Sequence, residues 1–237
     1  MLRSEVIMIW KKKTIKDLLP PPVKVSHGEY SMILSAKDER GRPSEELIQM
    51  SLKAIQSAIS IDLQFLQDEH ANLWPGEHYR LLAAFCQILN PALVIEIGTS
   101  TGLSALSMLP FFSGDLVTYD IKNWHSYPNT VLHTSDFGRL KQVVGDLGDL
   151  EFFQTQKDLI QKAEFIFIDA SHDGALEKRI LAHLEKVPFK KPPILFFDDI
   201  RVWTMLKMWR EITHPKLDLT SFGHWSGTGI VELTKNH

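Results

Sequence analysis

The sequence predicts an α/β fold, a mostly parallel seven-stranded sheet with helices on both faces and an antiparallel hairpin at its C-terminal end. Three observations predict it. From residue 92 onward, short apolar runs alternate with helical runs. Some of those runs are apolar at every position, as in Phe165-Ile166-Phe167-Ile168, which implies a strand buried on both faces. The last two β-rich stretches flank Gly223-His224-Trp225-Ser226-Gly227-Thr228, a hairpin pattern.

The elements follow in order. Residues 1–43 read as irregular, with Pro20-Pro21-Pro22 a stiff extended segment and Gly41-Arg42-Pro43 a break. Residues 44–72 read as one long helix, capped by Ser44 and started by Glu45 and Glu46. Ile48, Leu52, Ile55, Ile59, Leu63 and Leu66 would form its buried stripe. After Trp74-Pro75-Gly76, a helix over 77–89 is expected to stop before Asn90-Pro91. Strands are predicted at Leu93–Ile97, Leu116–Asp120, Leu150–Gln154, Glu164–Asp169 and Pro193–Asp198. Helices are predicted near 102–110, 134–144, 156–162, 174–186 and 201–213. The hairpin strands are Lys216–Phe222 and Gly229–Thr234. Val202, Met205, Leu206, Trp209 and Ile212 make a core stripe on the last helix. The organisation is thus an extension, 1–72, followed by a ligand-binding domain, 73–237.

Composition narrows the class. The chain has 237 residues, 44% hydrophobic and 23% charged, enough for a sizeable core without metal or disulfide. With 26 basic and 29 acidic residues the net charge is −3, which gives no reason to expect a nucleic-acid groove. The single cysteine, Cys86, lies in an apolar helical run and reads as a buried hydrophobe. Lys11-Lys12-Lys13 follow a short apolar stretch, the reverse of a signal peptide, and no apolar run approaches the ~20 residues of a membrane span. A cytoplasmic protein acting on a small molecule is expected, with residues 1–72 serving as a lid, a homodimer arm or a packing layer.

Val94-Ile95-Glu96-Ile97-Gly98-Thr99-Ser100-Thr101-Gly102 is the most informative segment. A strand ends, two glycines four apart allow a tight turn, and a helix begins. The dinucleotide fingerprint has a glycine where this chain has Ser100, which disfavours a nicotinamide cofactor. Asp120 ends the next strand, beside that loop, where a carboxylate can accept from ribose hydroxyls. Its bland alternative is to cap the following turn.

Glu96-Ile97-Gly98-Thr99-Ser100-Thr101-Gly102-Leu103-Ser104 resembles motif I of class I S-adenosylmethionine-dependent methyltransferases, and is close to the form in caffeoyl-CoA-type O-methyltransferases. The resemblance covers roughly residues 73–234 and implies a Rossmann-like methyltransferase fold. It implies that Glu96, Gly98, Thr99, Ser100, Thr101 and Gly102 hold the methionine part, and Asp120 the ribose. Gln156 stands where the family often has an acidic residue near the adenine.

Two further strand ends carry carboxylates, Asp169 and the pair Asp198-Asp199, and should open on the same sheet edge. Converging carboxylates repel unless they bind a cation or basic groups, and a hard divalent ion, Mg²⁺, Mn²⁺ or Ca²⁺, fits an oxygen set. Asp169-Ala170-Ser171-His172 is similar to D-A-D-K of metal-dependent catechol-type enzymes and to D-G-D-H of cephalosporin-hydroxylase-like proteins. That resemblance makes Asp169, Asp198 and Asp199 the metal candidates, with His172 as a candidate general base beside Asp169. The alternative is that Asp173 or Asp199 caps a helix. His78, His125, His133 and His224 show no ligand spacing, and Trp124, Tyr127, Trp203 and Trp225 are candidate acceptor-pocket residues. Three functions compete: O-methylation of a small molecule, a methyltransferase-like binding or regulatory protein, and a nicotinamide-dependent oxidoreductase.

Overall fold

The computed structural model describes residues 39–234. The Lys11–Lys13 and Pro20–Pro22 stretches lie outside the described residues.

Residues 39–44 have no regular structure, and helix α1 spans Glu45–Ala58. Ser44 caps it as expected, its side chain accepting from the Leu47 N–H at 3.0 Å. The helix is shorter than the sequence suggested. Beyond it, Asp62 Oδ1 accepts from Gln64 N–H and Asn72 Oδ1 from Leu63 N–H, local bonds that compete with a continuing helix. The buried stripe differs in part: Leu47, Ser51, Ala54 and Ala58 face inward and Ile48, Leu52 and Ile59 are 39%, 61% and 66% exposed, whereas Ile55 and Leu66 pack against the core and Leu63 is buried in it, as expected. The small residues let α1 lie close on α2, Tyr79–Leu89, whose Ala83, Ala84 and Cys86 are fully buried. The Ser51 hydroxyl donates to the Leu47 carbonyl within α1, so burying it leaves no donor orphaned.

The sheet contains β1 Leu93–Ile97, β2 Asp115–Asp120, β3 Leu140–Val144, β4 Phe165–Ile168, β5 Ile194–Asp198, β6 Lys216–Asp218 and β7 Thr228–Glu232. Their spatial order is β3-β2-β1-β4-β5-β7-β6, with β7 alone running against the direction of the other six. Six strands were placed by sequence to within a few residues. The third was not: residues 140–144, expected to be helical, are β3, and Leu150–Gln154, expected to be a strand, begins helix α4. The cause is an edge. β3 pairs only with β2, so it keeps Lys141 and Gln142, and its apolar signal is broken. Asp149 then accepts from Phe152 N–H at 2.8 Å and starts a helix that buries Phe153 and Ile160.

Helices α3 Leu103–Met108, α4 Leu150–Ile160, α5 Ala175–Leu184 and α6 Trp203–Glu211 complete the fold. Alternate residues of each central strand feed two cores. One takes Phe165, Phe167 and Phe196 together with Leu47, Ala54 and Phe85 from α1 and α2. The other takes Ile166, Ile168 and Phe197 with Phe153, Ile180 and Trp209. Met205, Leu206, Trp209 and Ile212 are buried, as the stripe on α6 predicted. Among the described residues no helix is long and apolar enough to cross a membrane.

Candidate functional site

Strand order reverses between β1 and β4, and the crevice at their carboxyl ends is the place where α/β sheets receive ligands. Gly98 makes the crevice possible. It adopts φ +107°, and a Cβ on it would lie 1.8 Å from the Asp169 carbonyl oxygen. Gly102, at φ +87°, would likewise drive a Cβ into Leu132. The cavity behind holds about 260 Å³, and Gly98, Ser100, Asp120, Tyr127, Asp146 and Asp169 are in its wall. Asp120 Oδ2 accepts from Ser100 N–H and Oδ1 from Lys122 N–H, both at 2.9 Å. The Tyr127 hydroxyl reaches both oxygens, at 3.0 and 3.1 Å.

Other residues of the loop brace it from behind. Glu96 is fully buried and accepts from Ser104 Oγ at 2.5 Å, while its Oε2 has no partner. Burial pushes its carboxyl up to about 7, against the Ser104 and Thr118 hydroxyls. Thr99 Oγ1 shares a hydrogen bond with Thr118 and accepts from Gln142 Nε2. The Thr101 carbonyl accepts from Val131 N–H and Thr130 Oγ1. Gln156 is placed elsewhere: it lies on α4 and accepts from Tyr119 OH at 3.2 Å. Because β3 ends at Val144, the residue that follows the third strand into the cavity wall is Asp146.

At the ends of β4 and β5, carboxylates and imidazoles interleave. His172, at φ +56° on the turn after β4, pairs through Nε2 with Asp169 at 2.7 Å and through Nδ1 with Asp199 at 2.6 Å. Those two hydrogen bonds hold its pKa up at about 10 despite burial. The buried Glu177 fixes that turn, accepting from the backbone N–H of both His172 and Gly174. Asp199 also accepts from Ser226 Oγ, and these contacts hold it low against burial. Asp198 is 3.0 Å from His224 Nδ1 and 3.4 Å from His78 Nδ1. Burial opposes ionisation of Asp198, but the two imidazoles hold it well below the usual carboxylate range. Burial likewise lowers His78, and Asp198 outweighs it, raising the imidazole to about 9.

Among the described residues, three sets bring possible ligand atoms within 4.8 Å of one another: His78, Asp169 and Asp198; Asp198, Asp199 and His224; and Glu77, His78 and His224. Asp169, Asp198 and Asp199 are not gathered as one set, because His172 stands between the first and the last. The all-carboxylate site expected for Mg²⁺ therefore does not fit this arrangement. Asp173 takes the bland role, capping α5 through the Ala175 and Leu176 N–H groups.

Comparison with solved structures settles the architecture. A Staphylococcus aureus protein ascribed to the caffeoyl-CoA O-methyltransferases aligns over 79% of this chain and 100% of its own, at 15% identity and TM-score 0.54. The methyltransferase PaMTH1 of Podospora anserina, bound to S-adenosylhomocysteine, aligns over 84% and 92%, at 14% identity and TM-score 0.53. The fold is that of the class I methyltransferases. A Corynebacterium glutamicum protein shares it, over 80% of this chain and 99% of its own, at 13% identity and TM-score 0.51. No protein-family model and no curated protein matches the sequence.

Within the methyltransferase fold, sequence reasoning missed four side chains. Asp146 was hidden by the misplaced third strand, although Val143-Val144-Gly145-Asp146 carries a strand-to-turn signal. His78, Glu77 and His224 were missed because no local spacing links them. The N-terminal end of α2 and the β6–β7 loop meet through a parallel bridge between Gly76 and His224.

Proposed function

We propose that the chain transfers a methyl group from S-adenosylmethionine to an oxygen of a small molecule. The observation that carries this is Asp120: a carboxylate at the end of β2, on a cavity rim, with a hydroxyl already lying across both its oxygens. A ribose diol presents the same donors, so the nucleoside would replace the Tyr127 hydroxyl. The Gly98–Gly102 turn would admit the methionine portion, and Asp146 would face the base in place of Gln156. When bound, S-adenosylmethionine supplies an electrophilic methyl group on its sulfur.

The chain's part is to orient the acceptor and take its proton. The expected base is His172. Held between Asp169 and Asp199 it is an imidazolium with no lone pair to offer. To act as base it must first give up one ring proton, to Asp169, to Asp199 or to solvent, and an occupant that draws away one carboxylate would lower its pKa and favour that loss. Trp203 and Trp225, 50% and 80% exposed, are the candidates for an apolar acceptor wall. Isothermal calorimetry tests the reading: S-adenosylhomocysteine is expected to bind at micromolar concentration and NAD not to bind. Binding of NAD alone would favour the oxidoreductase. Cofactor binding without turnover of any hydroxylated acceptor would favour a binding protein of the same fold.

A further inference from the structure

We infer that His78, Asp169 and Asp198 form a mixed nitrogen–oxygen site for a divalent transition ion of the Mn²⁺, Fe²⁺ or Zn²⁺ type. The inference begins with His78. Its ring is 3% exposed, packed among Tyr79, Phe167 and Phe196, and neither ring nitrogen makes a hydrogen bond. Asp198 Oδ1, 3.4 Å from Nδ1, is an ion-pair contact without hydrogen-bond geometry, so both ring nitrogens are left unsatisfied, a costly state that points to a missing occupant. One of its nitrogens falls within 4.8 Å of carboxylate oxygens from both Asp169 and Asp198.

Both carboxylates are braced in the way metal ligands are braced. His172 Nε2 holds Asp169 through Oδ1, and His224 Nδ1 holds Asp198. Such outer partners orient ligands and tune their donor strength. Asp199 bonds Ser226 through one oxygen and His172 through the other and is not among the atoms gathered with His78 and Asp169, so it is placed to support the site rather than join it. The third donor is therefore an imidazole from the start of α2 instead of a third carboxylate. That changes the ion. Three hard oxygens suit Mg²⁺ or Ca²⁺, whereas one imidazole with two carboxylates favours the borderline ions.

The site is independent of the methyl-transfer reading, and it can be tested without S-adenosylmethionine or turnover. The full chain, stripped with chelator, is titrated with Mn²⁺ and with Mg²⁺ by calorimetry, and the Mn²⁺ complex is examined by pulsed electron paramagnetic resonance. A single Mn²⁺ should bind at least about tenfold more tightly than Mg²⁺, as expected where a nitrogen donor is present. The spectrum should show ¹⁴N coupling from a directly bound imidazole. His78→Ala should remove that coupling and weaken Mn²⁺ binding by about tenfold or more, at least the loss typical of disturbing a metal site. The wild-type spectrum remains decisive should His78→Ala fail to fold, and His78→Gln then replaces it. The inference is overturned if no ion binds, if Mg²⁺ binds as tightly as Mn²⁺, if no nitrogen coupling is seen, or if His78→Ala binds Mn²⁺ unchanged.

Discussion

Asp120 has its backbone and side-chain partners in place before any ligand arrives, and two opposite predictions follow. Asp120→Ala should weaken S-adenosylhomocysteine binding by roughly 1–3 kcal/mol, the cost of leaving buried donors unpaired. Tyr127→Phe removes the competing hydroxyl and should tighten binding severalfold; calorimetry on both variants checks the pair. Glu96 supplies a pH signature. Its folded pKa, about 7, is above the ordinary value of 4.5, so the folded state holds a proton that the unfolded chain releases. The contribution is complete below about pH 4.5 and is lost as pH rises through about 7. Glu96→Gln should therefore lose the part of the decline that the wild type shows between about pH 5 and 6.5, while both share the decline at higher pH that the raised His78 and His172 cause; an equal decline in both below about pH 6.5 would remove Glu96 as the cause. At this scale the sequence was most legible where chemistry and strand end coincide, as at Gly98, Gly102 and Asp120. It was silent on His78 and His224, whose meaning exists only through a contact between distant parts of the chain.

The elements show how periodicity can be right and its face wrong. In α1 the spacing of three and four is present in two adjacent stripes, one large and apolar, one small. The small stripe is inside because close approach to α2 decides the fit, and side-chain size then excludes the larger one. Leu52→Lys should accordingly change stability by no more than about 0.5 kcal/mol, as at ordinary surface positions. Ala54→Leu should cost about 1–3 kcal/mol by overpacking. Chemical denaturation of the two variants distinguishes the faces, and the reverse order of effects would restore the larger stripe to the core. The exchange of strand and helix near residue 150 has a similar cause. Leu150-Glu151-Phe152-Phe153-Gln154 carries apolar residues dense enough for a strand, and only the Asp149 cap shows that a helix begins there.

At the scale of the whole molecule, the topology was foreseen because fully apolar strands and a terminal hairpin leave few ways to close a sheet. A ligand that binds only the folded chain stabilises it by mass action. S-adenosylhomocysteine at a hundred times its Kd should add about 2.7 kcal/mol. That corresponds to a rise in Tm of roughly 5–10 °C for a domain of this size, while NAD should give none. A thermal melt with each nucleotide checks this. The bridge from Gly76 to His224 has a further consequence, in time. A chain made from its N-terminus has synthesised the whole wall of the cavity beside Gly98 and Asp120 by residue 180. His224 and Ser226 emerge later, on the loop that precedes β7, and they brace Asp198 and Asp199 only once that strand has slotted in beside β5. The growing polypeptide thus carries every wall residue of the Gly98–Asp146 cavity before it carries the loop that braces Asp198 and Asp199.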